Sequence, residues 1–545
     1  MGQRFKQWNP RTKESPKNFQ ELAAIVRQNR GFSHIDQLKY GDYGLDSAFK
    51  TILASIRSNK RIALYADYDV DGTMSCISWI WFFQSINFDN FIYYIPDRFQ
   101  EGYGVNLDAV KHLVLEKKAD TIITMDTGIT ANQEAQWCKD HGVQFICTDH
   151  HKIQASKMPD CIILNPKLHP DPLYQELCGC GITFVLLRKL GEVLNPPSHV
   201  WTDILALTGM ATICDVVPLN GVNHKLAQLG VQALLRSKRK VFKDLLKAAS
   251  INNRYMDERD VGFRLGPRIN AVGRLEHAKQ VISAFVDNDS DSLIHHMGIC
   301  NERRKSIQNG IVAEARELAR KSQDLPILFL GGDWHQGVVG IAASKIAEEF
   351  WKPVLLYHKT ADLCKGSARS IPHVDIMDGI SVAGEFFKKF GGHSAAAGFS
   401  FDAANEDKIR ETLTGYGKQL QKTRPSLWES SIEYDCFLPE SLLNLSLTSC
   451  LDEMRPFGHC FEEPLFLIEA PILQSHFYKD KKTGEDRHTA VEISYQNERY
   501  KIMFFNEVYR DFPQAKKAKF LVNASRNVWN GKTSLSLTGC DYTLH

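Results

Sequence analysis

Ala66-Asp67-Tyr68-Asp69-Val70-Asp71-Gly72 and Thr148-Asp149-His150-His151 decide how this chain is read. Each follows a short apolar run with the look of a buried β-strand: Arg61-Ile62-Ala63-Leu64-Tyr65 before the first, Val143-Gln144-Phe145-Ile146-Cys147 before the second. A buried parallel strand ending in carboxylates and imidazoles delivers hard-cation ligands to the carboxyl edge of a sheet, where open α/β folds keep their active sites. Three aspartates at alternate positions repel one another unless cations sit among them. The pattern predicts a metal centre, with two ions.

Working outward, apolar runs at 61–66, 91–95, 121–125, 143–148 and 161–164 alternate with helical patterns. That alternation predicts βαβ units and a mostly parallel sheet. Trp201–Met210 reads as a helix leading into Ala211-Thr212-Ile213-Cys214-Asp215, and Pro218 should end regular structure there. Residues 291–323 form a long charged helical pattern, read as a connector between domains. A second α/β unit starts at Pro326-Ile327-Leu328-Phe329-Leu330. Beyond 430, strand-like runs at 464–470, 489–494, 500–505, 519–524 and 533–538 are punctuated by Lys482-Thr483-Gly484 and Asn530-Gly531. The latter is a hairpin signal, and the spacing predicts a small OB-like barrel. The expected organisation is a lead-in over 1–50, an α/β catalytic domain over 51–290, the connector, a second α/β domain over 324–425 and the barrel over 430–545.

Composition sets bounds. A chain of 545 residues needs several cores. Its 43% apolar and 24% charged residues are ordinary for a soluble protein, and a net charge of +2 announces no global basic field. The 13 cysteines lack CxxC pairs, which argues against a zinc ribbon or a disulfide framework and for reduced thiols in a cytoplasmic protein. Met1-Gly2-Gln3-Arg4-Phe5-Lys6 has no apolar core of a secretory signal, and no run has the length of a membrane span.

The candidate ligands assemble in order: Asp67 and Asp69, then Asp126 after Thr121-Ile122-Ile123-Thr124, then Asp149, His150 and His151, then Asp215. Carboxylates suit Mg²⁺ and Mn²⁺, and a histidine tilts the choice toward Mn²⁺. Two such ions about 4 Å apart can share an aspartate and clamp both oxygens of an in-line phosphoryl displacement. The competing reading, that acidic strand ends are only turns or helix caps, suits one Asp-x-Asp but not four such clusters.

With these residues in place, the order Asp-Tyr-Asp-x-Asp-Gly, Asp-x-Gly, Asp-His-His, Ala-Thr-Ile-x-Asp-Val resembles the DHH phosphoesterase superfamily. Further motifs resemble its RecJ-type single-strand-specific exonuclease branch. They are Pro96-Asp97-Arg98 through Tyr103-Gly104, Gly266-Pro267-Arg268-Ile269-Asn270 through Arg274, Trp334-His335 through Gly340, Gly366-Ser367-Ala368-Arg369, and Gly391-Gly392-His393 through Gly398. Val272 departs from the alanine often found there. The resemblance spans roughly 60–545 and implies a DHH domain, a DHH-associated domain and an OB-like domain. It also implies 5′→3′ removal of nucleotides from single-stranded DNA in repair and recombination. Asp67, Asp69, Asp126, His150 and Asp215 would hold metal, His151 would face the scissile phosphate, and Asp71 and Asp149 would complete the catalytic set. A single-strand-binding protein and a helicase are implied as partners of a monomer.

The remaining motifs admit physical readings. Ser367 and Arg369 point the same way on a strand and can grip a terminal phosphate, with Arg98, Arg268, Asn270 and Arg274 completing the pocket. Gly392 and His393 belong to a segment whose small residues let a backbone approach a phosphate, or simply pack. Tyr103 is a base platform or a loop aromatic. Trp334-His335 reads first as a packed strand end, Arg236–Lys240 as a solvated helix face, and Tyr495, Tyr500 and Trp529 as core. The alternatives are a phosphodiesterase for short oligonucleotides or cyclic dinucleotides, a pyrophosphatase, and a silent single-strand scaffold. Intact acids at each ligand position argue against the scaffold.

Overall fold

Ile62–Ala66 is buried along its whole length, and so is Thr121–Met125, which is why both read as apolar runs without alternation. The structure, a computed structural model, describes residues 4–33, 44–251, 256–287, 290–480, 483–495, 498–512, 515–529 and 531–544. They form two compact units, residues 20–301 with 449–463, and residues 1–19 with 302–448 and 464–545.

In the first unit a five-stranded, all-parallel sheet has the order Phe91–Tyr94, Ile62–Ala66, Thr121–Met125, Gln144–Thr148, Ile162–Leu164. All five expected strands are present. Val70–Ser85 is buried on nearly every side, with Trp79, Trp81, Phe82 and Phe83 inside, so it is the central helix of this core. Leu45–Arg57 packs Leu45, Ala48 and Ile52 into the same core, so the polar lead-in expected to run to 50 ends earlier. Ser198–Cys214 is one continuous helix that stops before Pro218.

The long helix Ser290–Lys321 runs 32 residues. In the other unit Leu328–Gly332 and Val354–His358 are parallel strands joined by the helix Gln336–Phe350. The sheet continues antiparallel through Leu363–Arg369, Ala396–Asp402 and Lys389–His393. At the C-terminus, Leu465–Lys479, Asp486–Tyr495, Glu498–Phe504, Lys532–Leu544 and Lys517–Trp529 pair in that order, and the last closes on the first. This closed five-stranded barrel is the OB-like fold expected, with longer strands. Trp529 pairs with Lys532 across the expected hairpin and Gly531 has φ 77°; Asn530 and Lys482 lie outside the described residues.

One element was invisible in the sequence. Gln7–Pro10 pairs in parallel with Ser431–Tyr434, and the wholly buried Asp541 carboxylate accepts from the Arg4 and Phe5 amides (2.8 and 3.0 Å) and from Trp8 Nε1 (2.7 Å).

Candidate metal centre

The strand order places Ile62–Ala66 between the strand that follows it and Thr121–Met125, so the chain changes direction between these two neighbours. The crevice beyond their carboxyl ends is the binding position of such a sheet, and Asp67 and Asp126 are the residues immediately after the two strands. Asp69 caps Val70–Ser85, its Oδ1 accepting from the Asp71 and Gly72 amides at 2.8 and 3.2 Å. Gly72 is demanded by close approach, since a Cβ there would lie 2.4 Å from the Asp67 carbonyl oxygen. Asp126 is held in the left-handed region (φ 59°), which aspartate tolerates better than bulky residues.

Around this crevice His150 Nε2 lies 3.0 Å from Asp126 Oδ1, 3.4 Å from Asp215 Oδ2 and 3.8 Å from Asp71 Oδ2. Three sets of possible ligand atoms, each within 4.8 Å, overlap there: Asp67, Asp69 and Asp126; Asp126, His150 and His151; Asp71, His150 and Asp215. Asp126 and His150 each belong to two sets. Asp71 is wholly inside, its two oxygens accepting from the Gly179 and Cys180 amides (2.5 and 2.7 Å) at the start of Gly179–Leu194. His151 Nδ1 is 2.7 Å from Asp149 Oδ1, and Asp149 Oδ2 accepts from the Ile129 amide at 2.9 Å.

Electrostatics give the cluster its meaning. Burial first, and neighbouring carboxylates second, push Asp67 and Asp126 well above the usual carboxylate range, and Asp215 likewise. Burial and Asp69 push Asp71 up to about 7. Asp149 goes the other way: burial raises it, but the hydrogen bond and charge of His151 outweigh that. His151 is correspondingly raised, burial being overcome by Asp149 and the more distant Asp67 and Asp69. Among the described residues, Asp67 Oδ1, Asp126 Oδ1 and Asp215 Oδ2 are buried and accept no hydrogen bond. Buried oxygens of this kind are costly unless something positive meets them. Hard oxygens plus one imidazole fit divalent Mg²⁺ or Mn²⁺.

The structure gathers Tyr103, Arg98, Arg274 and Asn270 around the acidic loops. Tyr103 is exposed, with its hydroxyl 3.0 and 3.2 Å from the His151 ring nitrogens. Arg98 stacks over Tyr68 at 4.7 Å, and Arg98 and Arg274 both oppose the rise in the Tyr68 hydroxyl pKa that burial causes. Asn270 Oδ1 accepts from the Val70 amide at 3.2 Å, so it braces the acidic loop. Arg268 bonds back to the Arg264 carbonyl within its own helical stretch.

Ser367, Arg369, Gly392 and His393 lie in the other unit. Arg369 donates to Ser367 Oγ (2.7 Å) and Ser344 Oγ (3.1 Å), and no carboxylate among the described residues lies within ion-pair distance of it. Gly340 leaves them room, since a Cβ there would fall 2.9 Å from Ser367 Oγ. Gly392 sits on an exposed strand where a Cβ would meet the Ala396 carbonyl at 2.3 Å, so hairpin packing by itself requires that glycine. His393 ends the same strand, exposed.

Trp334 is a packed strand end, donating to Glu314 at 2.8 Å, and His335 caps Gln336–Phe350. Arg236–Lys240 is not a helix face: it is the junction between Gly221–Arg236 and Lys240–Ala248, where Arg239 pairs with Asp203 (2.7 Å) and stacks on Trp81. Tyr495 is core, and Tyr500 is half-buried with its hydroxyl on the Leu443 carbonyl. The sequence reading missed Gly179 and Cys180, whose amides hold Asp71. The small-residue run Cys178-Gly179-Cys180-Gly181 opening an apolar helix was the available signal.

Comparison with known proteins follows the same three parts. Residues 61–211 match the DHH family N-terminal domain, 323–419 the DHHA1 domain and 434–541 the RecJ OB domain. The single-stranded-DNA-specific exonuclease RecJ of Salmonella typhimurium is 31% identical over 83% of this chain and 81% of its own length. That of Bacillus subtilis is 30% identical over 90% of this chain, which spans 62% of the Bacillus protein. The crystal structure of Thermus thermophilus RecJ with Mn²⁺ matches over 99% of this chain and 80% of its own, with a TM-score of 0.83 at 24% identity, which speaks for the fold. With the DHH, DHHA1 and OB parts in that order along the chain and a relative 31% identical over 81% of its own length, the chain belongs to the RecJ family of single-stranded-DNA-specific exonucleases.

Proposed function

We propose that the acidic centre hydrolyses the 5′-terminal phosphodiester of single-stranded DNA with two divalent cations, Mn²⁺ or Mg²⁺, in DNA repair and recombination. The observation that carries this is the overlap of three ligand sets on Asp126 and His150, with buried carboxylate oxygens that accept no hydrogen bond among the described residues. When bound, two cations neutralise charge on the attacking and leaving oxygens of an in-line displacement. Asp67, Asp69, Asp126, His150 and Asp215 would hold them.

The remaining steps fall to side chains of the chain itself. Asp149 fixes the His151 ring and favours its protonated form, suiting it to donate to a non-bridging phosphoryl oxygen. Asp71, anchored by two amides, keeps the helix start against the site. Tyr103 touches His151 through its hydroxyl while its exposed ring is available to a base. Arg369 and Ser367 supply donors suited to a terminal phosphate.

A phosphodiesterase for very short oligonucleotides is the runner-up, disfavoured by the additional barrel, which short substrates do not need. Acting on DNA, the enzyme would work in the cytoplasm, with a single-strand-binding protein and a helicase as partners; among the described residues no helix is long and apolar enough to cross a membrane. The test supplies end-labelled single strands, duplexes and dinucleotides with Mn²⁺ or Mg²⁺. Mononucleotides released from the 5′ end of long single strands are expected. Release from the 3′ end, or preference for dinucleotides, refutes the reading.

A further inference from the structure

Apart from the acidic centre, three side chains of metal-ligating type converge where the Gly266–Leu275 helix ends. Glu276 directly follows that helix, while His296 and Cys300, four residues apart on Ser290–Lys321, share one of its faces. His296 Nε2 is 2.8 Å from Glu276 Oε2 and 3.4 Å from Cys300 Sγ, and Sγ is 3.6 Å from Glu276 Oε1. A tetrahedral ion bonded at ~2.0–2.1 Å to nitrogen and oxygen and ~2.3 Å to sulfur spaces its ligand atoms by roughly 3.3–3.6 Å. Both sulfur distances, to Nε2 and to Oε1, fall in that range; the 2.8 Å contact to His296 is made by the other carboxylate oxygen, Oε2, and one ligand atom from each of the three residues lies within 4.8 Å of the others.

We propose that Glu276, His296 and Cys300 form a second metal site, which takes Zn²⁺ and staples the end of the Gly266–Leu275 helix to the long helix. It shares no residue with the acidic centre. The donor set selects the ion: thiolate with imidazole suits Zn²⁺ and is foreign to Mg²⁺ and Mn²⁺. Gln280 Nε2 donates to Glu276 Oε2 at 3.0 Å, a supporting contact of the kind that orients ligands. Cys300 is buried, whereas the His296 and Glu276 side chains are 38% and 29% exposed, which gives an ion a way in and leaves the fourth position to water. Binding transfers the Cys300 thiol proton to solvent as the thiolate–metal bond forms. The same helix carries Asn270, whose side chain holds the Val70 amide beside the acidic loop, so the staple would stiffen a support of the catalytic residues.

The test uses the full chain, stripped of metal by a chelator and titrated with Co²⁺ as an optical stand-in for Zn²⁺. The acidic centre has only oxygen and nitrogen donors, so it gives no thiolate-to-cobalt charge-transfer band. Cys178 lies near Asp71, however, and the variants therefore decide the assignment. Co²⁺ added beyond the two equivalents that the acidic centre would take should give the band, Zn²⁺ should displace it, and Cys300→Ser should lose it. His296→Gln, at a half-exposed position and a safeguard should Cys300→Ser not fold, should weaken Zn²⁺ binding at least ~10–100-fold, the cost of losing even a supporting group. A parent without the band, or a band undiminished in the variants, overturns the proposal.

Discussion

Gly179→Ala is the sharpest test of how the acidic centre is built. The new Cβ would stand 2.8 Å from Asp126 Cβ, and 3.0 Å from both Asp126 Cα and Asp71 Oδ2. Carbon atoms rest at about 3.5–4.0 Å, so one wall of the site must move by roughly 0.7–1.2 Å. The displaced atoms include backbone, so no side-chain rotation absorbs the change. Overpacking of this kind costs ~1–3 kcal/mol, partly offset by the ~1 kcal/mol that alanine gains over glycine in a helix. A misplacement near 1 Å costs ~100-fold in rate. The expected result is therefore a small loss of stability with a hundredfold loss of turnover at saturating Mn²⁺. Gly310→Ala is the control: nothing lies within 4 Å of its Cβ, so it should melt higher and cleave normally. Turnover of Gly179→Ala within threefold of the parent would refute the argument that Gly179 sets the position of Asp126.

Asp69→Asn keeps an equally good helix cap but removes a ligand charge, so a metal-free melt should hardly change while cleavage falls at least ~100-fold; near-parental turnover would remove Asp69 from the metal site. Arg369→Ala should impair 5′-phosphorylated ends more than 5′-hydroxyl ends, by the ~1.5–3 kcal/mol of a charged hydrogen bond, read from kcat/KM on the two substrates; equal losses would show that Arg369 does not read the phosphate. Asp541→Asn leaves three donors facing a poorer acceptor and should cost ~1.5–3 kcal/mol, with faster proteolysis near residue 10 as its signature; unchanged protection there would mean that the N-terminal strand holds without Asp541.

The parallel sheet was legible because both faces of each strand are covered, so apolar runs such as Ile62-Ala63-Leu64-Tyr65 carry no ambiguity. The acidic residues were legible because strand ends are where such sheets display them. Gln7–Pro10 was not, since its partner is over 400 residues away and its Gln-Trp-Asn-Pro composition has no alternation. Arg236–Lys240 misled because charge runs say nothing of what the guanidinium meets, here Asp203 and the Trp81 ring. The hold of Gly179 and Cys180 on Asp71 depends on two segments more than 100 residues apart meeting, which local patterns do not encode.

The pairing of Arg4 with Asp541 spans 537 positions, which makes it a matter of timing during synthesis. At roughly 5–20 residues per second the first strand leaves the ribosome about half a minute or more before its carboxylate anchor exists. The apolar DHH core can form in that interval, because its buried cluster runs from Leu45 to Cys300, and only residues 449–463 of that unit join later. The barrel unit cannot be completed until Asp541 has emerged, so a nascent chain carries Gln7–Pro10 in water until then. Its polar composition suits that wait: an unpaired apolar strand would invite a neighbouring chain, and this one gives it little to bind.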